Sequence, residues 1–103
     1  MVTELDGYSV SLLINVREAR DLIDVIDSLK KVVENPVFKH GVLVGGFKKS
    51  CVAIASTSYH EISSLEIKPS LKLKILCNDA GVLGEFIRAI IESLPSGTSV
   101  SLG

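Results

Sequence analysis

The sequence predicts an α+β fold, a two-layer sandwich with two helices on one face of an antiparallel sheet. Three observations carry that expectation. Residues 8 to 16 alternate, with Tyr8, Val10, Leu12, Ile14 and Val16 on one side and Ser9, Ser11, Leu13 and Asn15 on the other, the period of a strand with one buried face. Two later stretches change to the three-and-four spacing of helices that each lay a single apolar stripe on a core. With 103 residues, 47% of them hydrophobic, the chain has the material for a single domain over residues 1–103 and none for a second.

The elements follow in order. After the first strand, Ala19, Leu22, Ile23, Ile26, Leu29 and Val33 mark a helix over residues 17 to 34. Asn15 with Glu18 three residues later has the form of a capping box, and Pro36 marks the far end. Its outer face pairs Arg20 with Asp24 and Asp27 with Lys31, each four residues apart. Val42-Leu43-Val44 and Cys51-Val52-Ala53-Ile54-Ala55 read as a hairpin turning near Gly46. The polar stretch Ser56 to Ser64 separates it from a further strand over residues 71 to 77, in which Leu71, Leu73, Ile75 and Cys77 alternate with Lys72, Lys74 and Leu76. Pro69 lacks a donor and belongs at the start of regular pairing or on an edge. Asn78 or Asp79 caps a second helix carrying Leu83, Phe86, Ile87, Ile90, Ile91 and Leu94, which Pro95 stops. Ser99 to Leu102 adds a short last strand. The expected order is β-α-β-β-β-α-β, and a ferredoxin-like arrangement with one extra strand is the nearest template.

Composition narrows the function. A formal net charge of −1 removes the usual reason to propose a broad nucleic-acid or acidic-membrane surface. Two cysteines make a disulfide scaffold unnecessary and point to two small buried thiols in a reducing compartment, hence a cytoplasmic protein. No apolar run approaches the ~20 residues of a membrane span, and the acidic start is unlike a secretory signal.

No catalytic motif stands out. Gly41 and Gly46 are spaced as in a phosphate loop, but Phe47 occupies the lysine position and the chain runs on into a strand instead of a helix. His40, His60, Cys51 and Cys77 form no close pair of ligands, so neither a metal nor a cofactor is expected. The acids Asp21, Asp24 and Asp27 sit among Arg20, Lys30 and Lys31 as a solvated helix face. The middle of the chain is more informative. Residues 37 to 76 hold six lysines against Glu61 and Glu66, a local balance of +4. Lys68, Lys72 and Lys74 share one side of an extended chain, opposite Leu71, Leu73 and Ile75. Such a stripe protects a sheet edge from aggregation, meets an acidic protein surface, or touches RNA phosphates. Sheet-based RNA readers interleave aromatics with their charges, and none lies between Lys68 and Lys74.

The run Leu71 to Asp79, followed by Leu83, Ile87 and Ala89-Ile90-Ile91-Glu92-Ser93-Leu94, resembles the final strand and helix of a known family. That family is the small dimerising subunit of the KEOPS complex, which supports threonylcarbamoylation of tRNA. Glu18-Ala19 and Ser28-Leu29 are similar to its first helix. The family carries an Arg and an Asn in its last helix where this chain has Gly84 and Arg88, and its middle section is shorter by about a strand. The resemblance implies a non-catalytic protein that pairs through its sheet edge, docks on a larger catalytic subunit by its helices and helps to hold tRNA.

The leading expectation is therefore a small non-catalytic subunit or adaptor, a homo- or heterodimer within a larger protein assembly and away from membranes. A second is an RNA-contacting domain on a basic sheet face. Lys48, Lys49, Lys68, Lys72, Lys74 and Arg88 are the candidate partner or RNA contacts in either case. A third is an enzyme or small-ligand domain with a pocket between helix and sheet, where Cys77 or His60 acts.

Overall fold

A computed structural model describes residues 7–63 and 66–103. The elements are β1 (Tyr8–Asn15), α1 (Asp21–Val32), β2 (Glu34–Lys39), β3 (Val42–Phe47), β4 (Cys51–Ser63), β5 (Glu66–Cys77), α2 (Ala80–Ser93) and β6 (Ser99–Leu102). The two helices and the antiparallel sheet are those the periodicity predicts, but the order is β-α-β-β-β-β-α-β. The additional strand is β2. Its six residues are all exposed, so it carries no alternation to read. Its backbone is further interrupted by Asn35 at φ 51° and by a shift of register between Glu34 and Val37.

Six strands form one sheet in the order β2-β3-β4-β5-β1-β6, and every pairing is antiparallel. β4 and β5 are longer than their alternating segments. Their ladder continues from Cys51↔Cys77 to Ser63↔Glu66 through the polar stretch expected to interrupt it. β3 stops pairing with β4 at Ser56, and β1 stops pairing with β5 at Ser70. Beyond those points the two strands continue as a two-stranded ribbon. Pro69 sits where the ribbon leaves the sheet, a place where a missing N–H deprives no β1 partner.

The inward positions form one core. Leu12 and Ile14 of β1, Leu71, Leu73 and Ile75 of β5, and Leu43 of β3 meet Val25 and Leu29 of α1 and Phe86 and Ile90 of α2. Gly45 lets the end of α1 approach closely. A Cβ there would lie 2.5 Å from Val33, so this glycine serves packing within a strand and not the turn expected near Gly46.

Both helix starts depart from or refine the expected caps. α1 begins at Asp21, after i→i+3 bonds from Asp21, Leu22 and Ile23 to Glu18, Ala19 and Arg20. Asn15 belongs to β1, so the expected capping box does not form; the Asp21 carboxylate instead accepts from the Glu18 amide at 3.2 Å. Arg20 pairs with Glu18 at 2.6 Å and not with Asp24, because the turn before the helix brings Glu18 alongside. Asp79 caps α2 as expected, accepting from the Val82 amide at 3.0 Å.

Candidate interaction surface

The side of the sheet opposite the helices has no second layer over it among the described residues, and the ladders fix what it displays. Three rows cross it. One runs from Val37 through Val44, Ile54 and Lys74 to Ser11, and the next from Lys39 through Val42, Ser56 and Lys72 to Leu13. The third joins Gly46, Val52, Leu76 and Ser9. Val37, Val42, Val44, Val52, Ile54 and Leu76 are therefore neighbours, and each is between 36% and 56% exposed. A cluster of aliphatic side chains left this open marks a contact surface more often than chance exposure does. Lys72 and Lys74 flank it on β5, and both are exposed. On this face β1, β3, β4 and β5 present no Asp or Glu among the described side chains.

The basic stripe of the sequence is thus half of a larger feature. Sequence reasoning placed the lysines on a helix-free face and missed the aliphatic rows beside them. The signal was in Cys51-Val52-Ala53-Ile54-Ala55, which is apolar at both parities. A strand apolar on both faces, in a fold with helices on only one, leaves one apolar face without cover.

The other candidate contacts lie elsewhere. Lys68 is in register with His60 on the ribbon, and the side chains of both lie outside those described. Lys48 and Lys49 form the β3–β4 turn, closed by the Ser50 amide donating to the Phe47 carbonyl at 3.0 Å. Both have positive φ, 50° and 57°, the conformation a tight hairpin turn demands and one that normally falls to Gly or Asn. The turn is tied down on α2: the Phe47 ring stacks on Phe86 with centroids 4.4 Å apart, and Lys48 Nζ reaches a Glu85 carboxylate oxygen at 2.5 Å. The Asn78 amide donates to the Ser50 carbonyl at 3.0 Å. Lys48 is thereby a structural ion pair on the helix side. Arg88 lies on the outer surface of α2, beside Gly81, Gly84, Glu85 and Glu92 in a shallow depression. The six candidate cations are therefore not one site. Lys72 and Lys74 share the open face, whereas Lys48, Lys49 and Arg88 belong to the turn and to α2.

The cysteines correct the expectation of two separate thiols. Cys51 and Cys77 stand directly opposite each other on β4 and β5 and are joined by a disulfide. They stand 26 positions apart in sequence, and only the register, which periodicity does not reveal, brings them together. Cys77 is therefore not a free nucleophile here. Beside the disulfide an open cleft of about 660 Å³ is lined by Ser9, Lys49, Ser50, Val52, Leu76 and Asn78, and it joins the open face to the turn. No helix among the described residues is long and apolar enough to cross a membrane. Neither a protein-family model nor a curated protein matches the chain.

Proposed function

We propose that this chain is a non-catalytic subunit or adaptor of a larger assembly, and that its helix-free sheet face is where the assembly holds it. One observation carries the reading: Val37, Val42, Val44, Val52, Ile54 and Leu76 form a continuous aliphatic surface with no layer over it among the described residues. Burying it against a partner removes from water the one face of the sandwich that its own helices leave open.

The sheet edges support pairing as the second property. β2 carries Pro36, a register shift and Lys39, devices that discourage strand addition. β6 carries no charge and no proline, and among the described residues no strand pairs with its outer edge, which leaves that edge available to a strand of a second copy. The order β6-β1-β5-β4, with helices after β1 and β5, supports a ferredoxin-like reading in which the β2–β3 hairpin is an addition on one side. This hairpin is a further departure from the shorter middle section of the KEOPS small-subunit family, and on the resemblance of the last strand and helix a divergent member of such a tRNA-modification complex is the assembly type we favour.

A tagged chain expressed in its source cells should recover a stoichiometric larger partner, and the V44Q/I54Q chain should not. Equal recovery by both chains, or recovery of nothing by either together with a monomeric mass in light scattering, would sink the reading. A second reading, RNA contact, is favoured by Lys72 and Lys74 lying side by side on a face whose central strands present no acid. It requires tRNA binding that weakens with salt and is lost in K72E/K74E.

A further inference from the structure

We infer that the open face takes a single amphipathic helix of a partner protein, seated along β3 and β4 with acidic residues on the flank that faces β5. This rests on the docking role proposed for that face and names the chemistry of its occupant.

The layout across the strands is the first argument. From β2 to β4 the face is mainly aliphatic, through Val37, then Val42 and Val44, then Val52 and Ile54, with Lys39 at its β2 edge and Ser56 at one end of β4's share. At β5 Lys72 and Lys74 bring positive charge beside Leu76, and on β1 and β6 the face continues with Ser9, Ser11, Leu13, Asn15, Ser99 and Ser101. Strands lie about 4.8 Å apart, so the aliphatic strip from β2 to β4 is about 10 Å wide. A helix with its side chains has a diameter of about 10–12 Å. One helix therefore covers the strip and brings its flank to β5.

The spacing of the lysines supplies the second argument. Lys72 and Lys74 are two residues apart on a strand, about 6.6 Å along its axis. Acidic residues at i and i+4 of a helix are about 6 Å apart along its axis and project from the same side. A helix lying along the strands thus matches both lysines with one pair of acids. The aliphatic strip and the cationic flank call for the same orientation.

The alternatives fit less well. For a second copy using this face, a two-fold axis through the β3–β4 strip either crosses the strands or runs along them. Crossing, it stacks β5 on β5 and sets Lys72 and Lys74 against their own counterparts. Running along the strands, it sets β5 over β2 and brings Lys72 to Lys39, which shares its row. Like charges meet in both arrangements. RNA would use the lysines but leave the aliphatic strip without a partner, because valine and isoleucine offer bases no stacking surface.

The test uses the full chain and two synthetic helical peptides of 18 residues with the same leucine stripe, one flanked by Glu at i and i+4, the other by Lys. The chain contains no tryptophan, so a single Trp in each peptide reports binding by fluorescence anisotropy. The expected result is at least tenfold tighter binding of the Glu peptide, inversion of that preference in K72E/K74E, and loss of both peptides in V44Q/I54Q. Thermal melts by circular dichroism establish that the variants fold, and K72Q/K74Q, which should abolish the preference without inverting it, stands in if the charge reversal does not. Equal affinity for the two peptides, lost in V44Q/I54Q, would overturn the acidic helix and leave the docking face standing. Absence of binding to both, or binding indifferent to V44Q/I54Q, would overturn the helix and the docking face together. Total tRNA binding that K72E/K74E abolishes, with no peptide binding, would assign the face to RNA and overturn the proposal.

Discussion

On the helix side of the sheet Ile14, Leu71, Leu73 and Ile75 are at most 1% exposed, whereas Ile54 and Leu76 on the other side are 38% and 43% exposed. The same alternation places both sets, in strands that pair with one another. What differs is the layer above them. α1 and α2 cover one face, and nothing among the described residues covers the other. Within the open face the strands also differ. β5 alternates leucine with lysine as a strand with one wet side does, while β3 and the Cys51–Ala55 part of β4 are apolar on both sides, the composition of strands buried between two layers. The contrast teaches that a strand's composition records how many layers it is built to sit between. By that measure β3 and β4 are built for a layer that the described residues do not provide.

The strongest way to break this comparison is to truncate a side chain on the covered face. Ile75 is fully buried and stands in register between Val10 and Ala53. Ile75→Ala should cost about 2–5 kcal/mol, the transfer loss plus the cavity that the packed helices cannot close. Urea unfolding followed by circular dichroism measures it. A loss below about 1 kcal/mol would mean that the covered face is not the core.

The disulfide sharpens the comparison at the end of the same face. Cys51 and Cys77 are each 4% exposed and close a loop of 26 residues. Loop closure of that order restrains the unfolded chain by about 3 kcal/mol. The C51A/C77A variant, or the native chain with a reducing agent, should unfold at correspondingly lower urea, and the reducing agent should leave the variant's midpoint where it is. An unchanged midpoint in the native chain would show that the cysteines are not bonded in solution.

Much of this was legible before any coordinates. Leu12, Ile14, Leu71, Leu73 and Ile75 announce the core by alternation, and Phe86 and Ile90 by helical spacing, because burial on one side imposes a period. β2 was not legible, since an edge strand exposed on both sides, with a proline and a bulge, has no period to show. Gly45 and Gly46 looked like the turn, yet the chain turns on Lys48 and Lys49. The stacking of Phe47 on Phe86 and the ion pair of Lys48 with Glu85 hold those lysines in a conformation that local propensity disfavours. The site was half legible. Lysines announce themselves singly, whereas the aliphatic surface beside them depends on the register of four strands, and so does the bond between Cys51 and Cys77.

The smallest expected effect separates the two faces most cleanly. Ile54 sits in the middle of the open face, between Val44 on β3 and Lys74 on β5. Ile54→Gln removes a side chain already in water over more than a third of its surface, and the residual cost is a change of strand propensity on a scale that spans about 1 kcal/mol in all. Urea unfolding should therefore register a loss below about 1 kcal/mol, against the several expected at Ile75, one rung away but on the other side of the sheet. Partner recovery should fall all the same, because a glutamine amide pressed into a dry contact loses its water without gaining a hydrogen-bond partner. Stability lost at Ile54 on the scale of Ile75 would mean that this face already belongs to the chain's own core, and the contrast between the two sides would collapse.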